Sequence, residues 1–311
     1  KIDPDIKLHD LDLDGKVIGT DDNFDLIRYL NKLGYKHMGF YKKFVGEQPR
    51  YTFVLDLDRE FDEVYNGMHP TTRKILNKKN QYNLNMYAGN IDDIEAFYET
   101  MLETAERENI KALPIEYYKK YYEILNKNNM SDLYVVKVKI NDLVKTYEEK
   151  VNTIKKNIED LNNHQNQKKK ENLLNDLNKQ LDKATKELDD IKKIDKEEII
   201  LSSIMTAKYK DEVWTVHGGN STLLRELNSN YLLYYQIIKD AYDNGYKKID
   251  FFGTSGEANP DKSNPIYGIH NFKKRLGGEY TEYIGEFDLI TNKFMYFVYK
   301  KLIPIYRKVK K

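Results

Sequence analysis

The sequence predicts a mixed α/β (α+β) chain whose body is interrupted by an inserted antiparallel coiled-coil helical hairpin. Three observations predict it. Short runs rich in aromatic and β-branched residues alternate with segments of helical apolar spacing on both sides of the middle of the chain. From Tyr147 to Ile194 there is no Gly, Pro or Trp, and the apolar residues step alternately by three and four. A wholly polar stretch, Asn162 to Lys170, divides those steps into two halves that can fold back on one another.

Taken in order, Phe24, Leu26, Ile27, Leu30 and Leu33 stand at helical spacing before Gly34 and predict a helix over residues 23–34. Tyr35 to Phe44 and Tyr51 to Leu57, around a turn at Gly46 to Pro49, predict a hairpin. Helices are expected over 60–80, 91–108 and 115–126, and a strand over Leu133 to Ile140. Within the insertion, Tyr147, Val151, Ile154, Ile158 and Leu161 form one heptad seam. A second runs through Leu174, Leu177, Leu181, Ala184, Leu188 and Ile191. Each half is too short to be a stable lone helix in water, so the halves pair within the chain or, as the competing arrangement, in an intermolecular coil. Ile199 to Tyr209 and Glu212 to His217 then predict a strand pair, residues 230–244 a helix, and Lys248 to Phe252 a buried strand. A Gly/Ser/Asn/Pro loop from Gly253 to Pro265 leads to a short helix, Tyr267 to Leu276. Glu282 to Leu289 is the last expected strand, before a basic C-terminal helix.

Composition removes several classes of function. The 311 residues carry Lys+Arg 51 against Asp+Glu 50 and no cysteine, which excludes disulfide staples, zinc ribbons and thiol nucleophiles. No apolar run approaches the roughly 18 residues of a spanning helix, and a cytoplasmic protein is the expectation. The formal charge of +1 argues against a nucleic-acid coat. The start, Lys1-Ile2-Asp3-Pro4, lacks an initiator Met and a signal-peptide pattern, so the numbering is expected to begin inside a longer protein, at a strand end that Pro closes. His9, His37, His69, His164, His217 and His270 lack the paired spacing of zinc enzymes, and no metal is expected. Neither Gly253-Thr254-Ser255-Gly256 nor Gly277-Gly278 has the spacing of a Walker loop or dinucleotide fingerprint, so no cofactor is expected either.

What remains is basic. Arg73-Lys74 with Lys78-Lys79 is the pattern of a solvated helix face, whereas Lys273-Lys274-Arg275 follows the Gly/Pro loop beyond a buried strand, where α/β sheets place their ligand crevices. Phe272 and Leu276 can anchor that helix while a lysine faces a pocket, as an electrostatic stabiliser of a developing oxyanion would. Arg107 ends a helix, which the helix dipole alone favours, or it forms a phosphate fork. His217, beside Gly218-Gly219 at a strand end, is a candidate pocket residue. Lys300, Lys301, Arg307, Lys308, Lys310 and Lys311 suit tRNA or an anionic membrane surface, and equally a solubilising tail.

Together these segments resemble a known family. A mixed body with an inserted helical hairpin is followed by Asp250-Phe251-Phe252-Gly253-Thr254-Ser255 and Asn259-Pro260-Asp261-Lys262. Then come Tyr267-Gly268-Ile269-His270-Asn271-Phe272-Lys273-Lys274 and Tyr283-Ile284-Gly285-Glu286-Phe287-Asp288. The order resembles the FemABX family of peptidoglycan bridge aminoacyltransferases along essentially the whole chain, nearest its FemX type. The resemblance implies two acetyltransferase (GNAT)-like lobes: a remainder of the first over 1–50, the second over 51–145 and 198–311, and the arm over 146–197. It also implies that most of the first lobe precedes Lys1.

The implied activity moves an amino acid from a charged tRNA to the side-chain amine of the third stem residue of a cell-wall precursor. Glycine is the first expectation, with alanine and serine as alternatives; the acceptor is lipid II or UDP-MurNAc-pentapeptide. Aminoacyl-tRNA is then a co-substrate, and other Fem-type proteins, a second copy of the chain and the inner membrane surface are the implied partners. By the same resemblance Asp3 matches an acidic residue near the acceptor, and Arg107 an arginine that grips the precursor's phosphates. Phe272 and Lys273 match the pair that stabilises the tetrahedral intermediate, and Tyr267 joins the substrate-binding set. Thr215 and His217 stand where relatives often carry tyrosines, a departure from the pattern. Two other classes stay open: a non-catalytic coiled-coil binding or assembly protein, and a coenzyme A dependent acetyltransferase, against which the missing pyrophosphate loop argues.

Overall fold

The structure is a computed structural model that describes residues 1–42, 48–161, 167–303 and 305. In chain order the strands and helices are β1 (Lys7–Leu11), β2 (Val17–Asp22), α1 (Phe24–Lys32), β3 (Tyr35–His37), β4 (Tyr51–Asp56), α2 (Phe61–Gly67), α3 (Pro70–Leu76), β5 (Asn85–Gly89), α4 (Ile94–Arg107), α5 (Ile115–Lys127), β6 (Leu133–Lys139), α6 (Ile140–Leu161) and α7 (Gln167–Lys192). They continue with β7 (Glu198–Tyr209), β8 (Glu212–Asn220), α8 (Ser229–Asp243), β9 (Lys248–Asp250), α9 (Tyr267–Lys274), β10 (Glu279–Tyr283), β11 (Phe287–Leu289) and α10 (Lys293–Phe297). The mixed α/β expectation therefore holds. Two compact units form, Lys1–Met68 with Lys248–Lys311, and His69–Lys247. Among the described residues no helix is long and apolar enough to cross a membrane.

The first unit is built on antiparallel ladders in the order β2-β1-β10-β4-β9, with β3 and β11 forming a separate pair. Two expectations fail here. The predicted hairpin does not form, because β3 pairs with β11 while β4 lies between β10 and β9; residues 43–47 of its turn lie outside the described residues. The single last strand is two, since Gly285 takes φ +89 and breaks the extended run between β10 and β11. The β1–β2 hairpin had no prediction. Its turn is held by Asp12, whose carboxylate accepts from the amides of Asp14 and Lys16, both at 2.9 Å. Leu8, Ile27, Ile284 and Phe287 form a small core under α1.

The second unit holds the meander β5-β6-β7-β8, antiparallel throughout. β6 and β7 are buried along nearly their whole lengths, as strands covered on both faces must be. Helix α4 lies on β7 and β8, and α8 on β6 and β7. Ile94, Phe97, Tyr118, Tyr122, Leu133, Val135 and Met205 make the core beneath α4 and α5. The one helix predicted over 60–80 is two, because the extended Met68 and His69 precede Pro70, which opens α3.

In the insertion α6 and α7 pack against each other. Tyr147, Val151, Ile154 and Leu161 of one helix and Ala184, Leu188 and Ile191 of the other are buried. Glu148 near the start of α6 pairs with Lys192 at the end of α7 at 2.7 Å, and Lys150 with Glu187 at 3.1 Å, so the helices run in opposite directions. Residues 162–166 of the polar tip lie outside the described residues. The expected basic C-terminal helix is described as α10 and a π-helical turn, Val298–Leu302; its Arg307, Lys308, Lys310 and Lys311 lie outside.

Candidate functional site

In the first unit, β9 ends at Asp250 and delivers the chain to a loop that α9 closes. Helix α9 turns His270 and Lys273 inward, one helical turn apart, and both are buried. His270 fixes the loop: one ring nitrogen meets the Thr254 hydroxyl at 2.9 Å and the other the Ala258 carbonyl at 2.9 Å. The Tyr280 hydroxyl donates to the Ser255 carbonyl at 2.7 Å. The amine of Lys273 donates to the carbonyl of Phe252 and, at 2.8 Å, to that of Gly253. Burial favours its neutral form and pulls its pKa from 10.5 down to about 7, against the opposing charge of Asp250. Lys273 is thus a cation whose proton is loosely held near neutrality. Phe272 beside it is half-buried, as is Tyr267 at the head of the helix, whose carbonyl accepts from Asn271 at 2.9 Å.

Asp3 sits elsewhere in the same unit, its carboxylate accepting from the Gln48 amide at 3.1 Å. Its neighbour Ile2 bridges to Phe287. Sequence reasoning assigned no role to Asp250 or to a second buried network. The Arg50 guanidinium pairs with Glu282, which also accepts from Tyr51 at 2.7 Å and meets the His9 ring at 2.9 Å. Asp250 stands inside a recognisable motif, but two of its partners, Thr52 and Tyr283, come from segments far away in the sequence.

In the second unit, α4 grips the end of β8 with one face. Thr100, Glu103, Thr104 and Arg107 recur at helical spacing. Thr104 accepts from the Asn220 amide at 2.9 Å, and Glu103 accepts from the Thr222 amide at 2.6 Å and the Ser221 hydroxyl at 3.0 Å. Burial raises the Glu103 pKa, but the donors of Thr222 and Ser221 outweigh it and hold the carboxyl below its ordinary value. Arg107 donates to the Asn220 carbonyl at 3.2 Å and to Glu108 at 3.0 Å. A Cβ on Gly219 would stand 2.5 Å from the backbone of Thr100, so only glycine lets helix and strand approach this closely.

Thr215 and His217 do not share a surface. Thr206 opposes Thr215 and the preceding Met205 opposes His217, so Val216 is an extra residue, a β-bulge. Opposed residues share a face and successive ones alternate, which sends Thr215 and His217 to opposite sides. Thr215 interacts with the buried Tyr234 of α8. The His217 ring stands edge-on to Tyr117, Tyr118 and Tyr121 of α5, with centroids at 5.7, 5.3 and 5.2 Å. Its Nε2 is buried with no hydrogen-bond partner among the described residues, and burial pushes its pKa from 6.5 down to about 4. The structure thus gathers Tyr267, Phe272 and Lys273 on α9. It places Arg107 at the end of β8, with Thr215 and His217 on separate faces of that strand.

The profile of the FemAB family matches residues 1–303. Over 318 residues the chain is 26% identical to a lipid II:glycine glycyltransferase of Staphylococcus haemolyticus, all of this chain and 73% of that protein being covered. The lipid II:glycine glycyltransferase of Staphylococcus aureus is likewise 26% identical over 320 residues, with the same coverage. Among solved structures, the crystal structure of FemX superposes with a TM-score of 0.66 and 26% identity, covering 90% of this chain and 71% of that one. The resemblance carried by the motifs and the match along the chain agree: the protein belongs to the FemAB family.

Proposed function

We propose that the protein is a tRNA-dependent aminoacyltransferase that builds the interpeptide bridge of peptidoglycan. It moves glycine, with alanine or serine as alternatives, to the side-chain amine of the third stem residue of lipid II or UDP-MurNAc-pentapeptide. The observation that carries this reading is a buried lysine of near-neutral pKa, set beside Phe272 in a chain similar along its whole length to lipid II:glycine glycyltransferases. An aminoacyl ester is already activated, so the amine attacks its carbonyl directly and no enzyme nucleophile is required. The new C–N bond forms and a tetrahedral oxyanion develops, which the Lys273 ammonium stabilises. Collapse breaks the ester C–O bond, and the amine's proton leaves with the tRNA hydroxyl. Asp3 serves near the acceptor amine, Arg107 holds precursor phosphates, and Tyr267, Thr215 and His217 contribute to substrate binding.

The same reading takes residues 1–50 as the remainder of a first GNAT-like lobe, 51–145 with 198–311 as a second, and the insertion over 146–197 as an antiparallel coiled-coil arm that contacts tRNA or a Fem-type partner. It sets the enzyme in the cytoplasm, at the inner face of the membrane. The test is transfer of radiolabelled amino acids from a mixed charged-tRNA pool to lipid II and to UDP-MurNAc-pentapeptide. A labelled product names donor and acceptor together. Folded protein that labels neither acceptor defeats the proposal.

A further inference from the structure

We propose that Asp250 is the positioning residue for Lys273: its carboxylate fixes the left-handed backbone of Phe252, and that conformation aims two successive carbonyls at the lysine amine. The inference rests on the oxyanion role proposed for Lys273.

Asp250 is 1% exposed at the end of β9. Such a carboxylate is costly to bury unless donors surround it, and here three do. The Thr52 hydroxyl of β4 and, at 2.6 Å, the Phe252 amide reach one oxygen; the Tyr283 hydroxyl of β10 reaches the other at 2.8 Å. Burial still raises its pKa, opposed by those three donors.

Phe252 has φ +56, a region that a bulky L residue occupies only when its surroundings hold it there. The hydrogen bond from its amide to Asp250 is such a hold. In extended backbone successive carbonyls point to opposite sides, yet those of Phe252 and Gly253 both accept from the Lys273 amine. The chain of contacts is therefore Thr52 and Tyr283 onto Asp250, Asp250 onto Phe252, and Phe252 with Gly253 onto Lys273. Asp250 reaches the reacting atoms only through the others.

The test combines native-state labelling with kinetics. Reductive methylation mapped by mass spectrometry reads Lys273, which is 4% exposed, with the buried Lys208 of the other unit as internal control. In Asp250→Ala we expect Lys273 to be methylated about tenfold faster with Lys208 unchanged, since only local opening is released. Transfer kcat is expected to fall about 30-fold with KM within threefold, as misplacement of a positioned group predicts. Asp250→Asn keeps an oxygen for the Phe252 amide and is expected to restore both readouts to within about threefold of the parent.

Unchanged labelling and kcat in Asp250→Ala overturn the inference, as does an Asn variant no better than Ala. A parallel rise at Lys208 also overturns it, by showing general loosening. Should the Ala variant not fold, Thr52→Val with Tyr283→Phe removes two groups that aim the carboxylate. Methylation of Lys273 should then rise about threefold, and no rise counts against the inference. Parent protein that transfers nothing, but shows the same labelling pattern, defeats the proposed function and leaves the tether standing.

Discussion

The loop that holds Lys273 and the strand end that holds Arg107 both tie a basic side chain to backbone carbonyls, by opposite means. Lys273 is 4% exposed, and its acceptors come from a turn held in a left-handed conformation. Arg107, with a side chain 23% exposed, is one rung of a helix face that holds Asn220 at the end of β8 through Arg107 and Thr104. The first arrangement costs backbone strain and yields a cation whose proton can be lost near neutrality; the second costs little and yields a permanent charge. Chemistry is suited to the first, and anchoring of an anion to the second.

The sharpest way to break this contrast is Lys273→Ala. Transfer should fall about 10²–10³-fold with the circular dichroism spectrum retained, the loss expected of a removed oxyanion donor. Unchanged turnover would remove the lysine from the reaction. Because burial lowers its pKa to about 7, the ammonium is lost as pH rises, so kcat/KM should decline above pH 7. A flat profile from pH 6 to 9 would contradict that assignment.

Gly219→Ala tests the anchoring side. The added methyl meets helix backbone that cannot yield, and denaturant titration should show a loss of about 2–3 kcal/mol, the scale of overpacking a tight core. A change below 0.5 kcal/mol, roughly the scatter of an ordinary surface substitution, would mean that the α4–β8 contact is looser than described.

His217 gives an effect of comparable size with a defined sign. Its pKa is about 4 in the fold against 6.5 for an ordinary histidine, so the unfolded chain binds the proton more tightly. The fold has its full stability from this group above pH 6.5 and loses it as pH falls toward 4, by roughly 3 kcal/mol. His217→Phe should flatten that acid slope in urea titrations, and an identical slope would sink the assignment. Least in size, Arg107→Ala should weaken precursor binding about five- to tenfold, the net worth of one ordinary hydrogen bond. An unaltered Kd in calorimetry would leave Arg107 a structural rung alone.

What the sequence made readable is what recurs at a fixed period. The seams of α6 and α7 stand out because every third or fourth residue repeats the same demand, and β6 to β8 because long β-branched runs admit few alternatives. The β1–β2 hairpin was invisible: Val17–Asp22 is exposed along its whole length and carries no alternation. The β3–β4 hairpin was misread because neighbours in sequence are the default pairing, whereas β3 finds a partner some 250 residues away in β11. The site divides the same way. Phe272 and Lys273 on a short helix can be read from their motif, but the Phe252 and Gly253 carbonyls that hold the lysine cannot. Nor can the convergence of Thr52 and Tyr283 on Asp250, which strands far apart in the sequence bring about.

The bulge at Val216 has a reach beyond geometry. In a regular strand, Thr215 and His217 would look onto the same neighbours, and a change at one would alter what the other tolerates. With the extra residue between them, one answers to Tyr234 and the other to the tyrosines of α5. Their substitutions should therefore combine additively in a double-mutant cycle. Two positions separated by a single residue can then vary as independent loci, so selection could adjust one face of the strand without disturbing the other.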